Sequence, residues 1–141
     1  THIFTTDATW IREKRIWNAS FPSGMADNPS DLLHTFKINA HYWYRQRMGG
    51  GIGYFSTTGD SDMMKYCMRD ESSAMGNATG IPDSRGWTAE VNYLPLKDQS
   101  LKLGLRRTEY SRFNGARSNY NGFGRDAADN NATFLYIWIL L

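Results

Sequence analysis

Along residues 35–45, TFKINAHYWYR, apolar and polar side chains alternate. Phe36, Ile38, Ala40, Tyr42 and Tyr44 fall on one face. Thr35, Lys37, Asn39, His41 and Arg45 fall on the other, with Trp43 the one departure. A period of two predicts a β-strand, here about twice the usual length of about 5–6 residues. The period recurs in GWTAEVNYLPL, where Trp87, Ala89, Val91, Tyr93 and Pro95 alternate with Thr88, Glu90 and Asn92. It recurs in LKLGLRRTEYSRF, with Leu101, Leu103 and Leu105 against Lys102, Gly104 and Arg106. It is weaker in HIFTTDATWIREKRIW, where Phe4, Ala8 and Trp10 oppose Thr5, Asp7 and Thr9. GGGIGYFSTT sets Ile52 and Tyr54 against Gly51, Gly53 and Phe55. No segment sustains a helical apolar period, so the pattern predicts six strands and no helix.

The tail ATFLYIWILL is apolar almost throughout. A membrane-spanning helix needs about 20 apolar residues, whereas a tilted membrane strand needs about 9–11. Phe134, Tyr136, Ile137, Trp138 and Ile139 are strand formers. Taken alone, the tail fits a central strand of a buried soluble sheet as well as a membrane strand. The connections shift that balance. A long segment follows the first strand, a tight turn near Gln46–Met48 the second, and a long polar stretch the third. The turn KDQS follows the fourth, and NGARSNYNGFGRDAADN precedes the tail. In an up-and-down antiparallel sheet this order gathers the long loops at one end and the short turns at the other. Outer-membrane barrels have that asymmetry, with alternating faces and aromatic girdles. The expected fold is therefore all-β, an antiparallel sheet of about six long strands within a transmembrane β-barrel. Six strands are fewer than the eight of the smallest single-chain barrels, so residues 1–141 read as the C-terminal segment of a larger one.

The chain is 40% hydrophobic and 14% aromatic, with five Trp and eight Tyr. Its mean hydropathy is negative, as expected when only alternate wall residues are apolar. A net charge of +2 gives no argument for nucleic acid. The single cysteine, Cys67, excludes an internal disulfide and any CxxC site within these residues. The chain opens on Thr1 without a leader and reads as processed or truncated.

The stretches LHTFKINAHYWYRQRMGGGIGYFSTTGDSD, TGIPDSRGWTAEVNYLPL and LKLGLRRTEYSRFNGARSNYNGFGRDAADNNATFLYIW resemble a proteobacterial outer-membrane family. Its members are labelled cytochrome c, because a CxxCH haem motif precedes a barrel. The most distinctive part is FNGARSNYNGFGRDAADNNATFLYIW. The resemblance implies an outer-membrane location, a link to c-type haem and electron transfer or to solute passage, and an electron-transfer protein as partner. No haem ligand carries over, since this chain contains no CxxCH. Two departures stand out. Barrels of this kind usually end on Phe, and this chain ends on Leu141. Arg107 and Glu109 continue the phase of Leu101–Leu105, where relatives are apolar. The pair belongs either at the outer headgroup level or against another protein surface.

Other motifs carry less. GGGIG lacks the following helix that a nucleotide-binding loop requires; its glycines suit close strand packing. Met63, Met64, Cys67 and Met68 are soft ligands of the kind Cu(I) takes, and equally an apolar loop patch. Asp126, Asp129, Asn130 and Asn131 offer oxygen ligands, though loop turns use the same residues. His34 and His41 fall on opposite faces and share no metal. No catalytic triad or carboxylate pair is defined, so no enzyme activity is read, and no cofactor site lies within the chain.

The leading expectation is a porin-like barrel wall in the bacterial outer membrane. Phe36, Ile38, Tyr42, Tyr44, Val91, Tyr93, Leu103, Leu105, Leu135, Ile137 and Ile139 would contact lipid. Lys37, Asn39, His41, Arg45, Glu90, Asn92, Lys102 and Arg106 would line the lumen, with Phe134, Tyr136 and Trp138 also inward. The partners would be outer-membrane lipid and the remainder of the barrel. The alternatives are a soluble secreted or periplasmic β-sandwich or ligand-binding barrel, burying Ile38, Val91 and Leu103, and a non-conducting membrane scaffold for an electron carrier.

Overall fold

The computed structural model describes residues 1–68, 75–96 and 100–140. The chain is all-β, with six strands: β1 (His2–Ile16), β2 (Ser30–Tyr44), β3 (Met48–Gly59), β4 (Ser84–Tyr93), β5 (Leu101–Arg112) and β6 (Ala132–Ile139). They form one antiparallel sheet in the order of the chain. The sheet is not closed, and β1 and β6 are its edges. Among the described residues helix is confined to one turn, α1 (Met63–Tyr66), and a 3-10 turn at Ala127–Asn130.

Register fixes the two faces. Phe36 pairs with Trp10, Ile38 with Ala8 and Tyr54, and Tyr42 with Phe4 and Gly50. Val91 then pairs with Gly50 and Leu105, and Leu105 with Leu135. Directly opposed residues share a face, so one face carries the apolar member of every alternating strand. No second layer covers it among the described residues: Ile38 is 44% exposed, Val91 58% and Ile137 63%. The described residues thus form a single sheet layer, not the two packed layers of a sandwich.

Burial sits instead mainly in the long connections, which gather at one end, and in the adjoining end of β2. Tyr120, Asn121, Asp31 and Asp62 are the largest fully buried side chains. Asp62 and Asp27 cap each other's loops. Asp27 and Asn28 donate backbone N–H groups to Asp62 Oδ2 at 3.0 and 3.2 Å, and Met63 N–H donates to Asp27 Oδ2 at 2.7 Å. Asp62 also caps α1, accepting from Lys65 N–H at 2.9 Å. Arg15 holds Asp31 through two bonds of 3.0 and 2.5 Å, and the Tyr66 hydroxyl donates to the same carboxylate at 2.5 Å. An edge-to-face aromatic run, Phe55–Tyr110–Phe113–Tyr120, ties the polar face of the sheet to this loop cluster.

Two details differ from the sequence expectation. β4 ends at Tyr93, so Pro95 lies past the strand, as its missing N–H favours. The β2–β3 turn runs Tyr44–Arg47, closed by Arg47 N–H to Tyr44 O at 3.1 Å. Its central residues, Arg45 and Gln46, both have positive φ, 51° and 56°. Most of the expected KDQS turn, residues 97–99, and the terminal Leu141 lie outside the described residues.

Candidate functional site

The polar face carries the built cluster. Glu90 and Asn92 stand two apart on β4, so both point to that face. Asn92 Nδ2 donates to Glu90 Oε1 at 2.6 Å. The Tyr136 hydroxyl, from β6, lies 3.0 Å from Glu90 Oε1 and 2.7 Å from Asn92 Oδ1, its one proton shared between two acceptors. Tyr136 reaches β4 by lying across Gly104 of β5, where any Cβ would collide with its ring. Lys102 Nζ approaches Glu90 Oε1 at 3.9 Å and sits over the rings of Tyr136 and Trp43, at 5.3 and 5.9 Å. A carboxylate, an amide, a phenol and an ammonium are thus locked together across three neighbouring strands. The set fixes a local charge pattern on the polar face.

The glycines of β3 serve the same face. His41 lies over Gly51 and Trp43 over Gly49. The side chains therefore lie flat along the sheet, and crowding is relieved where Cβ atoms are missing. Further toward the loops, Lys37, Asn39, Phe55, Thr88, Arg106, Thr108 and Tyr110 line a polar pocket of about 290 Å³. Asn39 Nδ2 donates to Asp7 at 2.8 Å. Arg106 is the direct strand partner of Glu90.

Lys37, Asn39, His41, Glu90, Asn92, Lys102 and Arg106 all stand on this face, together with Phe134, Tyr136 and Trp138. Arg45 is the exception. It sits in the turn beyond β2, with its guanidinium 5.1 Å from the Tyr44 ring centre on the apolar side. Its placement inward fails because β2 stops one residue earlier, and a left-handed turn residue no longer follows the pleat. The opposite face holds Phe36, Ile38, Tyr42, Tyr44, Val91, Tyr93, Leu103, Leu105, Leu135, Ile137 and Ile139 without exception. An open apolar depression of about 690 Å³ crosses it above Ala40, Gly50 and Ala89. Arg107 and Glu109 pair on this face, Nε to Oε1 3.2 Å, and Arg107 also donates to Thr133 at 2.9 Å.

Sequence reasoning missed the role of Tyr136. The one available signal was Gly104, a glycine amid leucines and lysine in a strand. It also missed Trp43, whose phase sets it beside Lys102. Asp126 and Asp129 are engaged in a capping box, and Asn131 Oδ1 accepts Tyr110 N–H at 2.7 Å. Those side chains act as loop fasteners. Met63 and Met64 are exposed on α1. Among the described residues no three His, Cys, Asp or Glu side chains converge. Among the described residues no helix is long and apolar enough to cross a membrane, which says nothing about strands. Comparison with protein-family models, with curated proteins and with solved structures returned no match.

Proposed function

We propose that this chain is a wall segment of a bacterial outer-membrane β-barrel, with its apolar face against lipid and its polar face toward a lumen. One observation carries the reading. Every strand contributes to an uncovered apolar face, while the buried side chains lie mainly in loops gathered at one end. A sheet in water would cover such a face with a second layer; hydrocarbon covers it without one. The sorting of long and short connections supports the same orientation. The family resemblance adds a link to c-type haem and an electron-transfer partner in the intact protein. On that reading the Trp43–Lys102–Tyr136 surface is where an inward haem-bearing segment would pack.

Two single-tryptophan variants of the intact protein test this in vesicles containing brominated lipid. Trp87, on the apolar face, is expected to be strongly quenched, and Trp43, on the polar face, to be spared. Equal quenching of both, or extraction from cells without detergent, would refute the wall. A purified intact protein without a Soret band would remove the haem link alone.

A further inference from the structure

We propose that the apolar face crosses the bilayer obliquely, so that Arg12, Arg85 and Arg107 come to one level and, with Lys14 one step beyond, meet the anionic headgroups of the leaflet on the long-loop side. The inference rests on the lipid-facing reading above and deepens it.

The limit of the apolar band can be traced strand by strand. On β1 and β2 the uninterrupted apolar run ends at Trp10 and Phe36, which are direct partners; Arg12 and His34, then Lys14, break it before Leu32 and Ile16. On β3 and β4 it ends at Tyr54 and Trp87, also partners, and Tyr54 pairs with Ile38, two residues below Phe36. On β5 and β6 it ends at Leu105 and Leu135, again partners. Followed back through Val91 and Gly50, that row meets β2 at Tyr42, six residues below Phe36. At about 3.4 Å per residue and about 4.8 Å per strand, the limit falls about 20 Å over about 24 Å, an angle of about 40°. Strands of outer-membrane barrels tilt by about 35–45°. The angle comes from sequence and register alone, so the agreement is independent of the loop argument.

The tilt also settles where Arg107 belongs. In untilted rows it is level with Ala89, Ile52 and Ala40, in the middle of the apolar band. Along the oblique limit it is the first polar residue on β5, as Arg12 is on β1, Ser56 on β3, Arg85 on β4 and Thr133 on β6. Arg12, Lys14 and Arg85 have no ion-pair partner among the described residues, and Arg107 is shared with Glu109. On the strands of this face the level thus carries three fixed cations against one carboxylate, with Lys14 one step beyond on β1. That charge complements a plane of anionic headgroups.

Nitroxide labels measure the depth directly. In the intact protein with Cys67→Ser, single cysteines replace Ser56, Thr133 and Ala40, and the protein is reconstituted in phosphatidylglycerol–phosphatidylcholine vesicles. Labels at 56 and 133 are expected to collide with an aqueous nickel chelate several-fold more often than the label at 40. A label at 133 as shielded as that at 40 would overturn the oblique placement. The headgroup contact is read by native mass spectrometry. Several-fold preferential retention of phosphatidylglycerol, lost in Arg12→Gln/Arg85→Gln, is expected; an unchanged preference in that variant overturns it. Labels at Ile38 and Ile137 that meet the chelate freely would instead bring down the lipid-facing reading itself.

Discussion

The Tyr136 hydroxyl spans β5 to lie 3.0 Å from Glu90 on β4, passing over the bare backbone of Gly104. Three strands are joined at one point by a side chain that has no direct partner on β4. Tyr136→Phe removes the shared proton and leaves two acceptors facing each other. The variant is expected to lose about 1 kcal/mol, read as a lowered urea midpoint of the refolded intact protein.

Gly104 tests the same relationship from the other side. Gly104→Val puts a branched side chain into the Tyr136 ring and is expected to cost about 1–3 kcal/mol. Tyr136→Ala in the Gly104→Val background is expected to recover part of that loss. A double-mutant cycle with no coupling would mean that the ring does not rest there.

Asp62 gives a pH-dependent outcome. Burial acts to raise its pKa, but backbone N–H donors from Asp27, Lys65, Asn28 and Met64 outweigh it, so the carboxyl titrates below its ordinary value of 3.8. Folding therefore favours the ionised form. Its contribution is complete above the ordinary value and is lost as pH falls through the lowered one. Cleavage of the 17–29 and 60–83 connections by pepsin is expected to accelerate below that value. Asp62→Asn is expected to be cleaved readily throughout the acid range, with a flattened pH profile.

The β2–β3 turn holds Arg45 and Gln46 in left-handed backbone, where neither residue is at ease. Gln46→Gly is expected to stabilise the hairpin by about 1 kcal/mol, measured as a raised urea midpoint. Gln46→Val is expected to do the reverse.

Lys37, Lys102 and Arg106 outnumber Asp7 and Glu90 on the middle of the polar face. Conductance of the reconstituted barrel is expected to favour anions, and Lys37→Glu/Arg106→Glu to shift the reversal potential toward cation selectivity. Cation preference in the unaltered protein would contradict the inward placement of these residues.

The strands and their faces were legible because a two-residue period survives in β2, β4 and β5, and neighbouring hairpins pass the phase along. β1 was harder to read because Arg12 and Lys14 occupy the apolar face beyond Trp10, which blurs the alternation. The loop cluster was not legible. The reciprocal capping of Asp27 and Asp62 joins residues far apart in sequence, and Asp and Asn in loops look alike whether buried or solvated. The turn was misplaced because Arg45 and Gln46 carry none of the usual turn chemistry. Tyr136 was assigned to its face, but its reach across β5 depends on twist and on Gly104, which alternation does not encode.

The two rims of the sheet are unequal: β1 extends over fifteen residues and β6 over eight. Fastened to each other, they would leave nearly half of β1's outward amides without a strand partner. If the chain is a barrel wall, as proposed, its seam would be keyed by length as well as by hydrogen bonding: β1 would take a longer neighbour than β6.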